Sequence, residues 1–209
     1  MQNYVISIGR ELGSGGKAIG EIIAKKLNIP IYDRRLIQMA AKESGFDPSV
    51  FKKSDEVPTR GFMSHVIRSL ASPFATFGSL YNNSISNESL FKVQSDIILD
   101  KAQSENCIIV GRCSDYILRE HPRHLNVFIR ANYDDRVKFL MERNGISMQE
   151  AKDLIEHTDA IRSDFHNFYA ETSWGDARAY DMCVNSSILG IEKTADLVLD
   201  FAVKALNIQ

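Results

Sequence analysis

Two periods of apolar residues alternate along this chain. Tyr4 to Ile8 form a short apolar run closed by Gly9, after which Ile19, Ile22, Ile23 and Leu27 recur at helical spacing. That order predicts a strand, a glycine-rich turn and a helix. A second short strand is expected at 29–32, followed by a helix through Leu36, Ile37, Ala40 and Ala41 that stops at Ser44-Gly45. From Phe46 to about Glu88 the periodicity decays into stretches rich in Ser, Asn, Pro and Phe. Uninterrupted loops of that length are uncommon except as covers over sites. The spacing therefore predicts an insertion over 46–88, with a short helix near 63–70.

Regular pattern returns with a helix over 89–104, then CIIV at 107–110 as a buried strand ending in Gly111-Arg112. LNVFI at 125–129 reads as a fourth strand closed by Arg130, and a helix follows near 134–143. Ser147-Met148-Gln149-Glu150 has the form of a capping box, and Ala151, Leu154, Ile155, Thr158, Ile161, Arg162 and Phe165 carry one long helix behind it. Residues 180–184 form a fifth strand, and Ile191, Val198, Leu199, Ala202 and Leu206 mark a final helix. Five short apolar strands alternating with helices predict an α/β fold with a parallel sheet covered on both faces. A length of 209 residues suits one domain, 1–209. In such sheets ligands bind beyond the carboxyl ends of the strands.

Those ends share a chemistry. They read Gly9-Arg10, Asp33-Arg34-Arg35, Gly111-Arg112, Arg130 and Asn185-Ser186-Ser187, so four of five carry arginine, whose planar donor fork suits phosphate. The first turn, GRELGSGGK at 9–17, lies between a strand and a helix, where amides freed by Gly13, Gly15 and Gly16 converge on an anion at a helix N-terminus. The Walker spacing is not met. Counting back from Gly16-Lys17 puts Glu11 at the first glycine position and Ala18 where a magnesium-binding hydroxyl is expected.

The net charge of −2 supplies no global field for a nucleic-acid polymer, so anion affinity has to be local and small phosphorylated ligands fit better. Cys107, Cys113 and Cys183 match neither a zinc ligand set nor a disulfide framework. No stretch approaches the ~18 apolar residues of a membrane span, and no basic leader precedes an apolar run, which makes the cytoplasm the expected location.

The stretch ISIGRELGSGGKAIGEIIAKKLNIPIYDRRLI, with IIVGRCSDYIL and WGDARAYDMCVNSSILGIE, resembles the cytidylate kinase-like family over nearly the whole chain outside the insertion. The resemblance implies a P-loop kinase fold with a five-stranded parallel sheet, an acceptor-side insertion at 46–88 and a lid over 147–178. It implies ATP with Mg2+ as cofactor and a nucleoside monophosphate as acceptor, CMP or dCMP first. Gly13, Ser14, Gly15, Gly16 and Lys17 would hold the donor phosphates with Arg10 beside them. Asp33 would sit near the metal or the acceptor, and Arg112 would meet the acceptor phosphate. Arg136 and Arg162 match lid arginines that neutralise the transferred phosphoryl group. The chain departs from the family pattern at Gly16, where the family has Lys, at Ala18, where it has Thr, and at Ala160, where a basic residue is common. Metal ligands are not named by the sequence.

A nucleotide-binding protein with weak or no kinase activity, or a kinase of another small hydroxyl compound, remains an alternative. His121 and His124 are spaced like ligands, but Pro122 between them argues against a shared helix face and no further ligand completes a set. Trp174 fits base stacking or packing. Phe62, Phe74, Phe77 and Tyr81 fit a nucleoside pocket or a homodimer surface equally well.

Overall fold

A computed structural model of the chain describes residues 2–33 and 87–208. The helix expected through 36–41, the short helix at 63–70, nearly all of the 46–88 insertion with its aromatics, and Arg34 and Arg35 lie outside the described residues. The chain divides into two compact units, one of residues 1–35 with 98–209 and one of residues 36–97. The described part of the second unit is the amino-terminal part of a helix, 87–97.

In chain order the described elements are β1 (Val5–Arg10), α1 (Gly16–Leu27), β2 (Ile31–Tyr32), α2 (Asn87–Ser104), β3 (Cys107–Val110), α3 (Ser114–Ile117), β4 (His124–Arg130), α4 (Tyr133–Asn144), α5 (Met148–Tyr169), a single 3-10 turn (Ala177–Ala179), β5 (Met182–Asn185) and α6 (Ser186–Leu206). The strands form one sheet in the order β2-β3-β1-β4-β5, with every pairing parallel. After β3 the chain crosses to the far side of β1, so the strand order reverses around β1. In a parallel α/β sheet such a reversal opens a crevice at the carboxyl ends of the strands. The turn that follows β1 stands at that crevice.

Both faces are buried, as a parallel sheet requires. On one face Ile6, Ile8, Ile108, Val110, Val127 and Ile129 pack against Ile19, Ile23 and Ala24 of α1 and Ala195, Val198, Ala202 and Leu206 of α6. On the other, Val5, Cys107 and Ile109 are fully buried, and Phe128 meets Trp174 edge-on at 5.3 Å and Tyr180 at 4.9 Å. Trp174 is thus engaged in packing. Gly9 makes that layer fit, because a Cβ there would lie 2.7 Å from the Phe128 ring.

The capping box forms as expected: Ser147 Oγ accepts from the Glu150 amide, and Glu150 Oε2 accepts from the Ser147 amide at 2.8 Å. Three features were absent from the sequence reading. They are the four-residue α3, the 3-10 turn, and a break inside α6 at Gly190 (φ 74°, ψ 172°). No described helix is long and apolar enough to cross a membrane.

Candidate functional site

The turn between β1 and α1 is built from its glycines. Gly13 and Gly15 have φ of 81° and 76°, the left-handed region that L side chains rarely adopt. Gly15 caps α1 with no side chain, and the first helical bond is made by the Ile19 amide to the Gly15 carbonyl. The amides of Gly16, Lys17 and Ala18 therefore have no acceptor among the described residues, as at any α-helix N-terminus without a side-chain cap, and groups of this kind can bind an anion. Gly16 is also constrained from behind, since a Cβ there would lie 2.6 Å from Cβ of Arg10.

Protein groups hold the turn from several sides. Ser14 Oγ donates to the Glu11 carbonyl at 2.9 Å, and the Ser186 hydroxyl is shared between the carbonyls of Ser14 (2.7 Å) and Arg130 (3.1 Å). Glu11, the residue that displaces the first Walker glycine, accepts from the Ala131 amide at 2.9 Å and lies 3.4 Å from Arg136. Arg136, 5% exposed, also donates from Nε to the Leu12 carbonyl at 2.7 Å and pairs with Asp159. Asp159 in turn accepts from the Leu12 amide at 2.8 Å. Among the described residues Arg136 is thus paired with protein groups of the turn and of α5. Sequence reasoning missed Glu11 and Asp159, whose signals were the departure from the Walker spacing and the position three residues before Arg162.

Lys17 lies on the first turn of α1 with its side chain more than half exposed. Its ammonium is 2.7 Å from Asp33 Oδ2 and 3.7 Å from Glu21. Asp33 follows β2, so these two expected site residues meet each other at the strand ends.

The three remaining arginines converge. Arg10 ends β1, and its guanidinium lies across Gly111, where a Cβ would run into Nη1. Arg112 follows Gly111 after the neighbouring strand β3. Arg162 reaches from α5 to donate to the Arg10 carbonyl at 3.1 Å, with Asp159 3.6 Å away. Burial, then the charges of Arg162 and Arg112, pull the pKa of Arg10 down to about 9, against the pull of Asp33 and Asp159. Burial likewise lowers Arg112 to about 10, and burial with the charges of Arg112 and Arg136 lowers Arg162. Among the described residues the Arg10 guanidinium makes no ion pair. Buried guanidinium groups that lie near like charges have their pKa values lowered, and an anion beside them acts in the opposite direction.

The backbone that presents Arg112 is itself unusual. Gly111, Arg112 and Cys113 all have positive φ, at 72°, 65° and 54°. Such geometry costs roughly 1–2 kcal/mol at each non-glycine residue, and it persists where surrounding contacts hold it. Of the two histidines with ligand-like spacing, His124 Nε2 lies 2.8 Å from Ser7 Oγ, and His121 accepts from the Arg123 amide. Arg130 is exposed at the end of β4.

The chain has relatives among known proteins. The chain is 22% identical over 205 residues, 97% of its own length and 95% of the other, to a cytidylate kinase of Pyrobaculum calidifontis. A crystal structure of an uncharacterized protein from Eubacterium ventriosum superposes with a TM-score of 0.73 at 26% identity, covering 99% of this chain and all of that one. The shikimate kinase of Bacteroides thetaiotaomicron (TM-score 0.52, 14% identity, 98% and 99% coverage) and a gluconokinase of Sinorhizobium meliloti (0.51, 14%, 99% and 93%) share the fold. The fold is that of the P-loop kinases. The family model for the cytidylate kinase-like family matches residues 5–188, and the chain belongs to that family.

Proposed function

We propose that this kinase-family protein transfers the terminal phosphoryl group of ATP to a nucleoside monophosphate, with CMP or dCMP as the leading acceptor, in the cytoplasm. The observation that carries the reading is the convergence of the buried Arg10, Arg112 and Arg162, whose pKa values burial lowers and, for Arg10 and Arg162, neighbouring arginines lower further, beside a helix N-terminus whose first amides lack acceptors. In phosphoryl transfer the protein's contribution is mostly positioning and charge stabilisation, which arginine forks and amides supply.

In this reading the turn Gly13 to Lys17 receives the donor phosphates on its amides, with Arg10 alongside. Arg112 takes the acceptor phosphate, and Arg162, on the lid helix, neutralises the group in transit. Lys17 leaves Asp33 to reach a phosphate, while Arg136 braces the turn. The residues accommodate ATP well, since glycines open the cradle and cations flank it. For Mg2+ the chain offers the Asp33 carboxylate and, at Ala18, no hydroxyl, so phosphate oxygens and water would supply most of its ligands. When bound, Mg2+ neutralises charge between the terminal phosphates.

The Lys17–Asp33 ion pair and Ala18 also favour a second reading, a nucleotide-binding protein with weak turnover. A coupled assay of ADP release across a panel of nucleoside monophosphates, run beside calorimetric titration of ATP, separates the two. ATP binding with CMP-dependent ADP release supports the kinase, binding with no release for any acceptor supports the second reading, and absence of binding removes both.

A further inference from the structure

His166 lies on α5 four residues beyond Arg162, the spacing that stacks two side chains on one helix face. Asp115 lies on α3, three residues past Arg112. The two meet in the interior: His166 is 3% exposed and its Nε2 lies 2.6 Å from Asp115 Oδ2. The other ring nitrogen is 3.4 Å from Asn167 Oδ1, and the Thr172 backbone also bonds to the ring. Acceptors at both nitrogens favour the doubly protonated imidazolium. Burial, the largest single influence, opposes that charge. The hydrogen bond and charge of Asp115, with Asn167 and Thr172, together outweigh it, and the pKa of His166 stands above its ordinary value.

The surroundings leave this pair to itself. Cys113 beside the turn, His124 on β4 and Tyr180 before β5 all feel the charge of Asp115. Burial raises the thiol and the phenol and lowers His124 to about 4, so all three are neutral near pH 7. Among the described residues His166 is the one ion-pair partner of Asp115. Two weaker contacts join the same segments: Cys113 Sγ is 4.0 Å from the Phe165 carbonyl, and the Arg112 guanidinium is 6.0 Å from the Phe165 ring.

The pair therefore ties together the two elements that carry Arg112 and Arg162, whose like charges push them apart. We propose that His166 and Asp115 are positioning residues, a buried latch that holds the Arg112 turn against the Arg162 helix so that an arriving phosphate meets a preassembled cationic site. This rests on the phosphate-binding reading above. Deprotonation of the imidazole leaves a hydrogen bond from a neutral ring to the Asp115 carboxylate in place of an ion pair, so the latch loosens as pH rises through the elevated pKa.

The test compares the parent protein with His166→Gln, Asp115→Asn and the double variant. Amide hydrogen exchange over 111–116 and 162–169, normalised to intrinsic rates, is followed from about pH 6 to 9. Tripolyphosphate, a bare anion, is titrated calorimetrically over the same range. We expect each single variant to speed exchange in both segments, to weaken tripolyphosphate binding about tenfold with loss of its pH dependence, and the double variant to be no worse than either single. Exchange that changes in one segment alone, single effects that add in the double variant, or a parent whose exchange ignores pH overturns the latch. Coupled exchange with no tripolyphosphate binding by the parent instead overturns the phosphate reading and leaves the latch standing as a fold contact.

Discussion

Arg136 and Asp159 form a buried ion pair that takes up both backbone groups of Leu12, the carbonyl by Arg136 Nε and the amide by Asp159 Oδ1. The two peptide units that flank the Leu12 Cα, in the turn between β1 and α1, are thereby bolted to α4 and α5 at once. Arg136→Ala leaves Asp159 and Glu11 with less compensation, and removing one partner of a buried pair costs about 3–5 kcal/mol. Urea denaturation should register a loss of that order. A change within about 0.5 kcal/mol, typical of surface positions, would show that the brace contributes nothing.

Lys17→Ala should lower nucleotide affinity or turnover at least tenfold, ~1.4 kcal/mol, while leaving the unfolding midpoint almost unchanged. The exposed ion pair with Asp33 contributes little to stability, so a functional loss without a stability loss isolates a role toward the ligand. Unchanged titrations with ATP and acceptor would transfer that role to Arg10 and Arg162.

At Arg112 the backbone and the side chain are predicted to disagree. Arg112→Lys keeps the charge but loses two-point geometry, so acceptor parameters should worsen at saturating ATP while ATP parameters hold. Arg112→Gly should be more stable than Arg112→Ala by about 1 kcal/mol, because only glycine adopts a φ of 65° without steric cost. Equal stability of the two variants would mean that the left-handed geometry is not strained.

His124 makes the fold sensitive to acid. Its pKa is lowered to about 4, by burial first, so the native state refuses a proton that the unfolded chain accepts near 6.5. Stability is then complete above pH ~6.5 and falls as pH drops toward 4, by up to about 3 kcal/mol. Urea midpoints measured across this range should lose most of that slope in His124→Gln; an identical slope would assign it to the carboxylates.

The strands, the glycine turn and the cluster of strand-end arginines were legible because each is written in local spacing. Runs such as CIIV announce a buried strand, and Arg10 and Arg112 follow their strands directly. What the sequence withheld is the pairing of residues far apart. Nothing in the spacing links Glu11 to Ala131 and Arg136, Leu12 to Asp159, or Asp115 to His166, and the contacts of Glu11, Leu12 and Asp159 are what engage Arg136 within the protein. Boundaries moved for a similar reason. β1 runs on to Arg10, beyond its apolar run, because Gly9 and Arg10 find ladder partners in Phe128 and Ile129 of β4.

The central place of β1 has a consequence for how the chain is made. Val5 pairs with Cys107 on one side and His124 on the other, so the first strand has no ladder partner until roughly a hundred further residues have been synthesised, which takes about 5–20 s at ordinary elongation rates. Over that interval an apolar strand with two open edges is exposed to other nascent chains. Sheet closure has to wait for β3 and β4, and a ribosome-associated holdase that covers residues 4–10 would have its greatest effect on the yield of folded protein in that window.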